Sequence, residues 1–332
     1  MNRKFIFDPI AGSSLAKFGV NQEENPFCTD AYAAAMEMLG HETWIVGTDM
    51  DGRVQDAAIG LLRRGRMNVN LEFVSLPPSA SQEDFWSVIY TKCKSLKVTN
   101  LIAGTYASSP FQLPRLVGEF SRTQRTEFVF SIRQGTCEKA FGHDIRRNIR
   151  KARSAGLIAR HGSDDLDWLS DHVRLKAQSM KRRADRGEFV PVDPQQLDEY
   201  KAYLRSGAGE LFQAVQGEKV VSSELILRSS RSAYGHSMGT SSEGMNIGAS
   251  HFLIFSVCKE LEKRGFRTFN LGGAPEGSTL ARFKRGFGAS AVSPLSACSC
   301  FLGSKWLKKI HSVVNIVRTD RRNLWKLVAR GT

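Results

Sequence analysis

Phe269–Gly288 reads FNLGGAPEGSTLARFKRGFG and decides how the rest of the chain is interpreted. The stretch begins as a strand that ends in two glycines, and a short basic helix closed by glycine follows. Open α/β sheets place ligands where strands end in such turns. Phe283 and Phe287 lie four residues apart and so share one face of the helix, where they anchor it in the core. We expect this anchoring to point Lys284 into a cleft.

The segment before this stretch predicts a β meander followed by a helix. Strands are expected over 211–215, 220–227 and 232–238, and a helix over 248–264 with apolar residues at helical spacing. A similar order is expected earlier in the chain, with a helix at 27–40, strands at 43–48 and 54–62, a helix at 81–96, and strands at 101–103 and 127–132. Recurrence of hairpin strands, helix and strand favours an internal duplication, although no residue-level repeat is visible.

The length of 332 residues exceeds what one hydrophobic core usually supports, so two domains are expected. The predicted class is mixed α/β (α+β), with each sheet flanked by helices. We place the first lobe at 1–145, the second at 146–300, and a basic amphipathic helix or tail at 301–332.

Charge is the strongest compositional signal, because the formal net charge is +14. The tail 301–332 carries eight Lys or Arg against one Asp, and two more basic groups lie within 146–153 and 181–186. Such charge predicts a phosphate-bearing partner. Three readings of the tail stay open: a helix packed on the second lobe, a helix on an anionic membrane surface, or an RNA-contacting arm.

Composition also limits location and chemistry. No apolar run approaches the ~18 residues of a spanning helix, and the N-terminus does not resemble a signal peptide. We therefore expect a cytoplasmic protein, with peripheral contact at the inner face of the membrane as an alternative. The six cysteines are scattered without C-x-x-C spacing, so we expect reduced thiols and no metal site.

The start of the helix predicted over 248–264 is a candidate anion site. Gly248, Ala249 and Ser250 are small, and free N–H groups at a helix N-terminus attract pyrophosphate. Because many helices begin with glycine, a purely structural role is the alternative.

The stretch resembles the signature of Fem-type aminoacyltransferases and their acetyltransferase-like relatives, a branch of the GNAT superfamily. The matching positions, in order and spacing, are Asn270, Gly273, Phe283, Lys284, Phe287 and Gly288. Upstream, RRNIRKA at 146–152 followed by Gly156 resembles the stretch where the family's second lobe begins. The resemblance implies two tandem GNAT-like lobes, each with a mixed, mainly antiparallel sheet. It also implies transfer of an acyl or aminoacyl group to an amine or hydroxyl.

Family donors are acyl-CoA or aminoacyl-tRNA, and family acceptors are cell-wall precursors or polysaccharides. The leading hypothesis is an acyl-CoA-dependent enzyme acting on a cell-envelope or polysaccharide-related acceptor. The alternatives are aminoacyl transfer from tRNA and a non-catalytic polyanion-binding module. Two departures from the family pattern leave the donor open: no long helical hairpin is visible, and the helix start at Gly248 lacks the Q/R-x-x-G-x-G/A loop of CoA-binding members.

Acyl transfer needs a group that stabilises an oxyanion and a route for the acceptor proton. Lys284 is the candidate for the first role by charge, with binding of a phosphate as its alternative. Glu224 or His236 is the candidate base and Tyr234 the candidate acid, although strand His and Tyr residues more often serve packing. The remaining candidates, for the donor or the shape of the cleft, are Asn270, Gly273 and Arg150. The chain lacks a Ser-His-Asp pattern, so direct attack without a covalent enzyme intermediate is expected.

Overall fold

The strands of the described residues form one continuous sheet of twelve in the computed structural model. The structure describes residues 4–303 except 11–13, 51–52, 134, 136, 163–165 and 188–195. The strands are β1 (Lys4–Pro9), β2 (Glu42–Met50), β3 (Arg53–Arg64), β4 (Val69–Phe73), β5 (Asn100–Gly104), β6 (Glu119–Ser131), β7 (Leu157–Gly162), β8 (Gly209–Gln216), β9 (Lys219–Arg228), β10 (Ser232–Thr240), β11 (Thr268–Gly273) and β12 (Ser290–Phe301). The helices are α1 (Asp30–Met38), α2 (Glu83–Ser95), α3 (His143–Ser154), α4 (Leu166–Asp185), α5 (Gln196–Ser206), α6 (Ser242–Asn246), α7 (Ala249–Lys263) and α8 (Thr279–Gly286).

The sheet has two halves with the same internal arrangement. Its order is β1-β2-β3-β4-β5-β12-β6-β11-β10-β9-β8-β7. In the first half α2 connects β4 to a parallel β5, and in the second half α7 connects β10 to a parallel β11. The other neighbouring strands pair antiparallel. The mixed, mainly antiparallel two-part fold expected from the sequence is therefore confirmed.

The two halves exchange one strand each. β6 precedes the expected boundary at 145/146 but pairs with β11 of the second half. β12 comes from the end of the second half and pairs with β5 of the first. β12 and β6 also pair with each other from Ser290↔Val129 to Cys300↔Glu119. The boundary at 145/146 stays a prediction, and strands from both sides of it meet at the centre of the sheet.

Helices cover both faces of the second half of the sheet. On one face, α3 and α7 pack with Phe212, Ile226 and Ala233 around a core that includes the fully buried Phe287. On the other face, α1 and α5 pack with the neighbouring residues Leu211 and Leu225 of β8 and β9. This alternation follows from the period of two in a strand, which sends successive side chains to opposite faces.

Local sequence explains where two of the helices begin. Thr29 caps α1, because its hydroxyl accepts from the backbone N–H of Tyr32. Ser278 caps α8 in the same way by accepting from the N–H of Ala281. These side chains satisfy N–H groups that a helix leaves without a partner in its first turn.

Some elements were not expected from the sequence. β12 contains Pro294 and several small polar residues, so it lacks the alternation that predicts a strand. Most of the tail expected at 301–332 lies outside the described residues, which end at 303. All six cysteines are free and buried. Among the described residues, no helix has the length and apolar character needed to cross a membrane.

Candidate functional site

The parallel strands β10 and β11 separate halfway along their length. Their pairing runs from Ser232↔Thr268 to Tyr234↔Asn270 and stops there. Beyond this point β10 has a register shift against β9 between Gly235 and Ser237. β11 has one against β6 between Asn270 and Gly273. Bulges bend strands and redirect side chains, and here two of them open a gap between the strands. We call this gap the divergence site.

Asn270 holds β11 in this conformation. Its Oδ1 accepts from the N–H of Gly272 at 2.8 Å, and its Nδ2 donates to Glu127 Oε2 at 2.7 Å. The Asn270 side chain therefore binds the backbone N–H of Gly272, which could otherwise donate to β10. Gly272 has φ of +75°, a conformation that favours glycine. Asn270 is 5% exposed, so both of its bonds are protected from water.

The equivalent place in the first half of the sheet is closed. Beyond the β4/β5 pairing, the N–H of Leu76 donates to Gly104 O at 2.8 Å, and the N–H of Tyr106 donates to Val74 O at 3.1 Å. These bonds continue to join the two chain segments. A ligand therefore has an opening between parallel strands in the second half but not in the first.

A cleft of about 1600 Å³ runs past the divergence site. The first half of the sheet and its helix contribute one wall, which includes Tyr32, Leu61 and Glu72. The second half contributes the other wall, including residues of α4, α5, α7 and α8. Four predicted catalytic residues line the cleft, namely Glu224, Tyr234, His236 and Lys284. The cleft is large enough for an extended ligand with several functional groups.

A buried carboxylate organises the divergence site. Glu127 on β6 is 0% exposed. Its Oε1 accepts from Arg125 Nη2 at 2.7 Å and from Tyr234 Oη at 3.0 Å. Its Oε2 accepts from Asn270 Nδ2 at 2.7 Å and from the N–H of Ala107 at 3.0 Å. We call Glu127 and its side-chain partners Arg125, Tyr234 and Asn270 the Glu127 cluster. A buried carboxylate with four donors holds these side chains in place.

Sequence reasoning missed Glu127 and Arg125. Glu127 opens the strand expected over 127–132, and a charged residue beside the apolar FVF that follows was the available signal. Buried acids are uncommon unless they are paired, so such a position predicts an internal partner. The partner lies two residues earlier on the same strand.

Lys284 reaches the divergence site from α8. It is 6% exposed, and its Nζ donates to the carbonyl of Gly273 at 2.9 Å. Burial, followed by the nearby Arg125 charge, lowers the Lys284 pKa from 10.5 to about 8. A Cβ on Gly272 would lie 3.8 Å from Lys284 Nζ and 3.9 Å from Tyr234 Oη, so both groups converge on this glycine.

Glu224 approaches from β9 on the face covered by α7. A Cβ on Gly235 would lie 2.9 Å from Glu224 Oε1. Glu224 is 4% exposed, and its Oε2 has no hydrogen-bond partner. Burial raises its pKa to about 8, although the Lys284 charge opposes the shift. The site thus holds an acid and a base that titrate in the same range and influence each other.

Tyr234 and His236 lie on the opposite face of the sheet from Glu224. The Tyr234 hydroxyl donates to Glu127 and accepts from Arg125 Nη2 at 3.0 Å, and burial raises its pKa above the usual range. His236 Nε2 lies 3.7 Å from Glu199 Oε1, and burial with the nearby Lys176 charge lowers the His236 pKa to about 4. His236 is therefore neutral at pH 7 and a weak base, whereas Tyr234 is a weak acid with its hydroxyl already engaged.

The three residues of the predicted anion site at the start of α7 lie in different environments. A Cβ on Gly248 would lie 2.7 Å from Asn148 O, so this glycine lets α3 approach closely. Ala249 is 0% exposed and belongs to the core. Ser250 lines the cleft, and its Oγ lies 2.9 Å from Thr240 Oγ1. Only Ser250 of the three therefore faces the space available to a ligand.

The remaining candidates also differ in position. Gly273 lines the cleft, and a Cβ there would lie 2.8 Å from Arg125 Nη2, so glycine makes room for the guanidinium. Arg150 lies on the exposed side of α3 and is not among the residues lining the cleft. The basic group at 181–186 supplies Arg182, which lines the cleft and donates to Thr240 O.

Residues 139–285 match the family model of an acetyltransferase (GNAT) domain. Most of the second half of the chain is thus similar to a GNAT domain. The match includes Glu224, Tyr234 and Lys284 and ends one residue after Lys284. It agrees with the GNAT resemblance carried by the motif at 269–288.

Solved structures share the fold over most of the chain. FemX has a TM-score of 0.64 at 12% identity, over 91% of this chain and 98% of FemX. A tandem GNAT protein from the clavulanic acid biosynthesis pathway has a TM-score of 0.50 at 10% identity, over 91% and 100%. L-PGS from Bacillus licheniformis has a TM-score of 0.51 at 11% identity, over 83% and 89%. A search of curated protein sequences found no match. The fold expected from the Fem-type resemblance is confirmed, and identities this low show the fold alone.

Proposed function

We propose that the chain is an acyltransferase that moves an acyl group from acyl-CoA to an amine or hydroxyl of a cell-envelope or polysaccharide-related acceptor. One observation carries the proposal. A buried carboxyl with an unpartnered oxygen, Glu224, and a buried cation, Lys284, face the same gap between β10 and β11. The matched GNAT domain supports transferase chemistry in this gap.

The chemistry requires no covalent enzyme intermediate. The lone pair of the acceptor nitrogen or oxygen attacks the acyl carbonyl, and the carboxylate form of Glu224 takes the acceptor proton. The carbonyl oxygen becomes an oxyanion, which the Lys284 ammonium stabilises. Collapse breaks the acyl–sulfur bond, and the proton passes from Glu224 to the departing thiolate. Each group returns to its starting state, and His236 is the alternative base.

The protonation states of Glu224 and Lys284 predict a pH optimum for the transfer rate. Glu224 must be deprotonated and Lys284 protonated, and the pKa of each is about 8. The transfer rate is therefore expected to rise and then fall as pH increases through this value. The apparent pKa values of the rising and falling parts of this profile belong to the coupled pair rather than to one residue.

The donor's phosphates have candidate partners at the end of the cleft near α4. Lys176 and Arg182 line the cleft, and so does Ser250 at the start of α7. Burial, with the nearby Arg183 charge, lowers the Lys176 pKa, and an anion bound beside Lys176 would offset both effects. GNAT domains in general take acyl-CoA, and these cations support that donor here.

A second candidate function is aminoacyl transfer from charged tRNA. The observation in its favour is the exposed basic side of α3, which presents Arg146, Arg150 and Lys151 outside the cleft. Such a surface suits a phosphate backbone. The fold shared with FemX is compatible with both candidates.

A thermal-shift comparison of acetyl-CoA, a longer acyl-CoA and aminoacyl-tRNA tests the donor. A ligand that binds only the folded protein raises its melting temperature. We expect an acyl-CoA to do so and to support transfer to an amine after ribonuclease treatment. Transfer abolished by ribonuclease would select the tRNA-dependent reaction. Salt-sensitive binding of RNA or anionic lipid without turnover from any donor would indicate instead that the chain is a non-catalytic polyanion-binding module.

A further inference from the structure

Arg125 is held with its planar guanidinium in the wall of the cleft. Its Nη2 donates to Glu127 Oε1 at 2.7 Å and to Tyr234 Oη at 3.0 Å. Its Cζ lies 4.2 Å from the centroid of the Tyr106 ring, on which the guanidinium stacks. The opposite side is bounded by Gly273, where a Cβ would lie 2.8–3.0 Å from the guanidinium atoms. The hydrogen bonds, the Tyr106 ring and Gly273 together fix the guanidinium fork, which is the planar set of N–H groups, before any ligand binds.

The fork is incompletely used by the protein. Arg125 has five N–H donors, and the two of Nη2 are used by Glu127 and Tyr234. A further side-chain hydrogen bond, with Tyr106, helps to raise the Arg125 pKa. Its Nε is buried without a hydrogen-bond partner, while the side chain as a whole is 31% exposed in the cleft wall. The exposed part of the guanidinium can therefore donate to an acceptor that arrives through the cleft.

The charge balance at this place also favours an anion. Glu127 supplies one negative charge against two cations, Arg125 and Lys284, which both lie close to Gly273. The burial that raises the Glu224 pKa to about 8 leaves that carboxyl mostly protonated at pH 7. A net positive charge in a water-poor site attracts a negatively charged group.

We propose that Arg125 binds a carboxylate or phosphate group of a substrate beside the reacting atoms, with Glu127 as the residue that positions it. An oxygen of either group can accept a charge-assisted hydrogen bond from Nη1, whose N–H groups Glu127 and Tyr234 do not use. The inference adds to the proposed function and rests on it only in assigning the anion to a substrate. It predicts that the substrate carries an anionic group a short distance from the acyl or the nucleophilic atom.

Arg122 provides a matched control on the same strand. It also forms a salt bridge, with Glu119 at 2.8 Å. Its Nη1 and Nη2 donate to the carbonyls of Leu113 and Pro114 at 2.8 and 2.7 Å, and it does not line the cleft. Removing its charge alters the chain as much as removing that of Arg125 but leaves the cleft unchanged.

The experiment is a thermal-shift titration with inorganic phosphate and, separately, with acetate, at constant ionic strength set by sodium chloride. We expect phosphate, acetate or both to stabilise wild type, and the more effective anion indicates the source of the group. Arg125→Gln is expected to weaken that binding by about tenfold or more, as loss of a charged hydrogen bond implies. Arg122→Gln is expected to keep the wild-type response.

Equal responses in Arg125→Gln and Arg122→Gln would overturn the proposal, as would a wild type that neither anion stabilises. If Arg125→Gln does not fold, Arg125→Lys decides, because lysine keeps the charge but not the planar guanidinium with its Nη1 donors. Binding weakened in Arg125→Lys supports the proposal, and unchanged binding contradicts it. The titration needs no turnover, so it gives its answer even if no acyl transfer is found.

Discussion

Glu224 shows how one buried residue couples stability to pH. Its carboxyl is buried, and the nearby Lys284 charge favours ionisation but does not outweigh the burial. Folding therefore raises its pKa from 4.5 to about 8. Between these values the folded chain holds a proton that the unfolded chain has released, so this residue makes stability fall as pH rises through the window.

Glu224→Gln removes this dependence. The stability of the variant relative to wild type is expected to increase from pH 5 to pH 8, by up to roughly 1.4 kcal/mol per pH unit within the window. Urea unfolding of both proteins at several pH values measures the difference. A difference that stays constant with pH would show that Glu224 is ionised in the folded protein.

At the scale of elements, close backbone contact places the helices that build the cleft. A Cβ on Gly239 of β10 would lie 2.4 Å from the backbone N of Lys176 and 2.5 Å from Leu175 C. α4 therefore lies directly on β10, and this brings Lys176 into the cleft. No side chain can move aside to accept a methyl group, because the contacts are with backbone.

Gly239→Ala is expected to destabilise the protein by about 1–3 kcal/mol, the usual cost of overpacking, and to weaken donor binding by displacing α4. Gly162→Ala on β7 is the control, since a Cβ there would meet Trp168 at an ordinary 3.4 Å. Thermal unfolding of both variants measures the effect. Equal stabilities would contradict the close contact between α4 and β10.

Elements with local signals could be predicted from the sequence, and those that depend on distant partners could not. α7 and α8 carry helical periodicity and end at glycines, and both were expected. β12 has neither signal, because its pairing with β5 and β6 makes it a strand. Lys284 was identified from a motif. Arg125 was missed, because its partners Tyr106 and Tyr234 belong to other segments of the chain. They come into contact with Arg125 only in the folded sheet.

At the scale of the whole molecule, the exchange of β6 and β12 joins the two halves into one unit. β6 follows the strands of the first half in sequence but pairs with β11 of the second half. β12 follows the strands of the second half but pairs with β5 of the first half. Neither half can therefore unfold without breaking backbone hydrogen bonds in the other. The cleft, which both halves line, depends on this connection.

Calorimetry is expected to show a single unfolding transition for the chain, with equal calorimetric and van't Hoff enthalpies. Two independent domains of this combined size would give two transitions. Resolved transitions would mean that the central pairing of β6 with β12 contributes little to cooperativity.

The most direct test of the account is acyl transfer by Lys284→Met compared with Arg282→Met. Arg282 is an exposed cation on the same helix and does not line the cleft. With the donor identified by thermal shift, Lys284→Met is expected to lower kcat by about 10²–10³-fold, the usual effect of losing an oxyanion donor. It should remain folded, because methionine fills the buried site without a charge to desolvate. Arg282→Met should keep the wild-type rate, and a folded Lys284→Met with wild-type kcat would contradict the account.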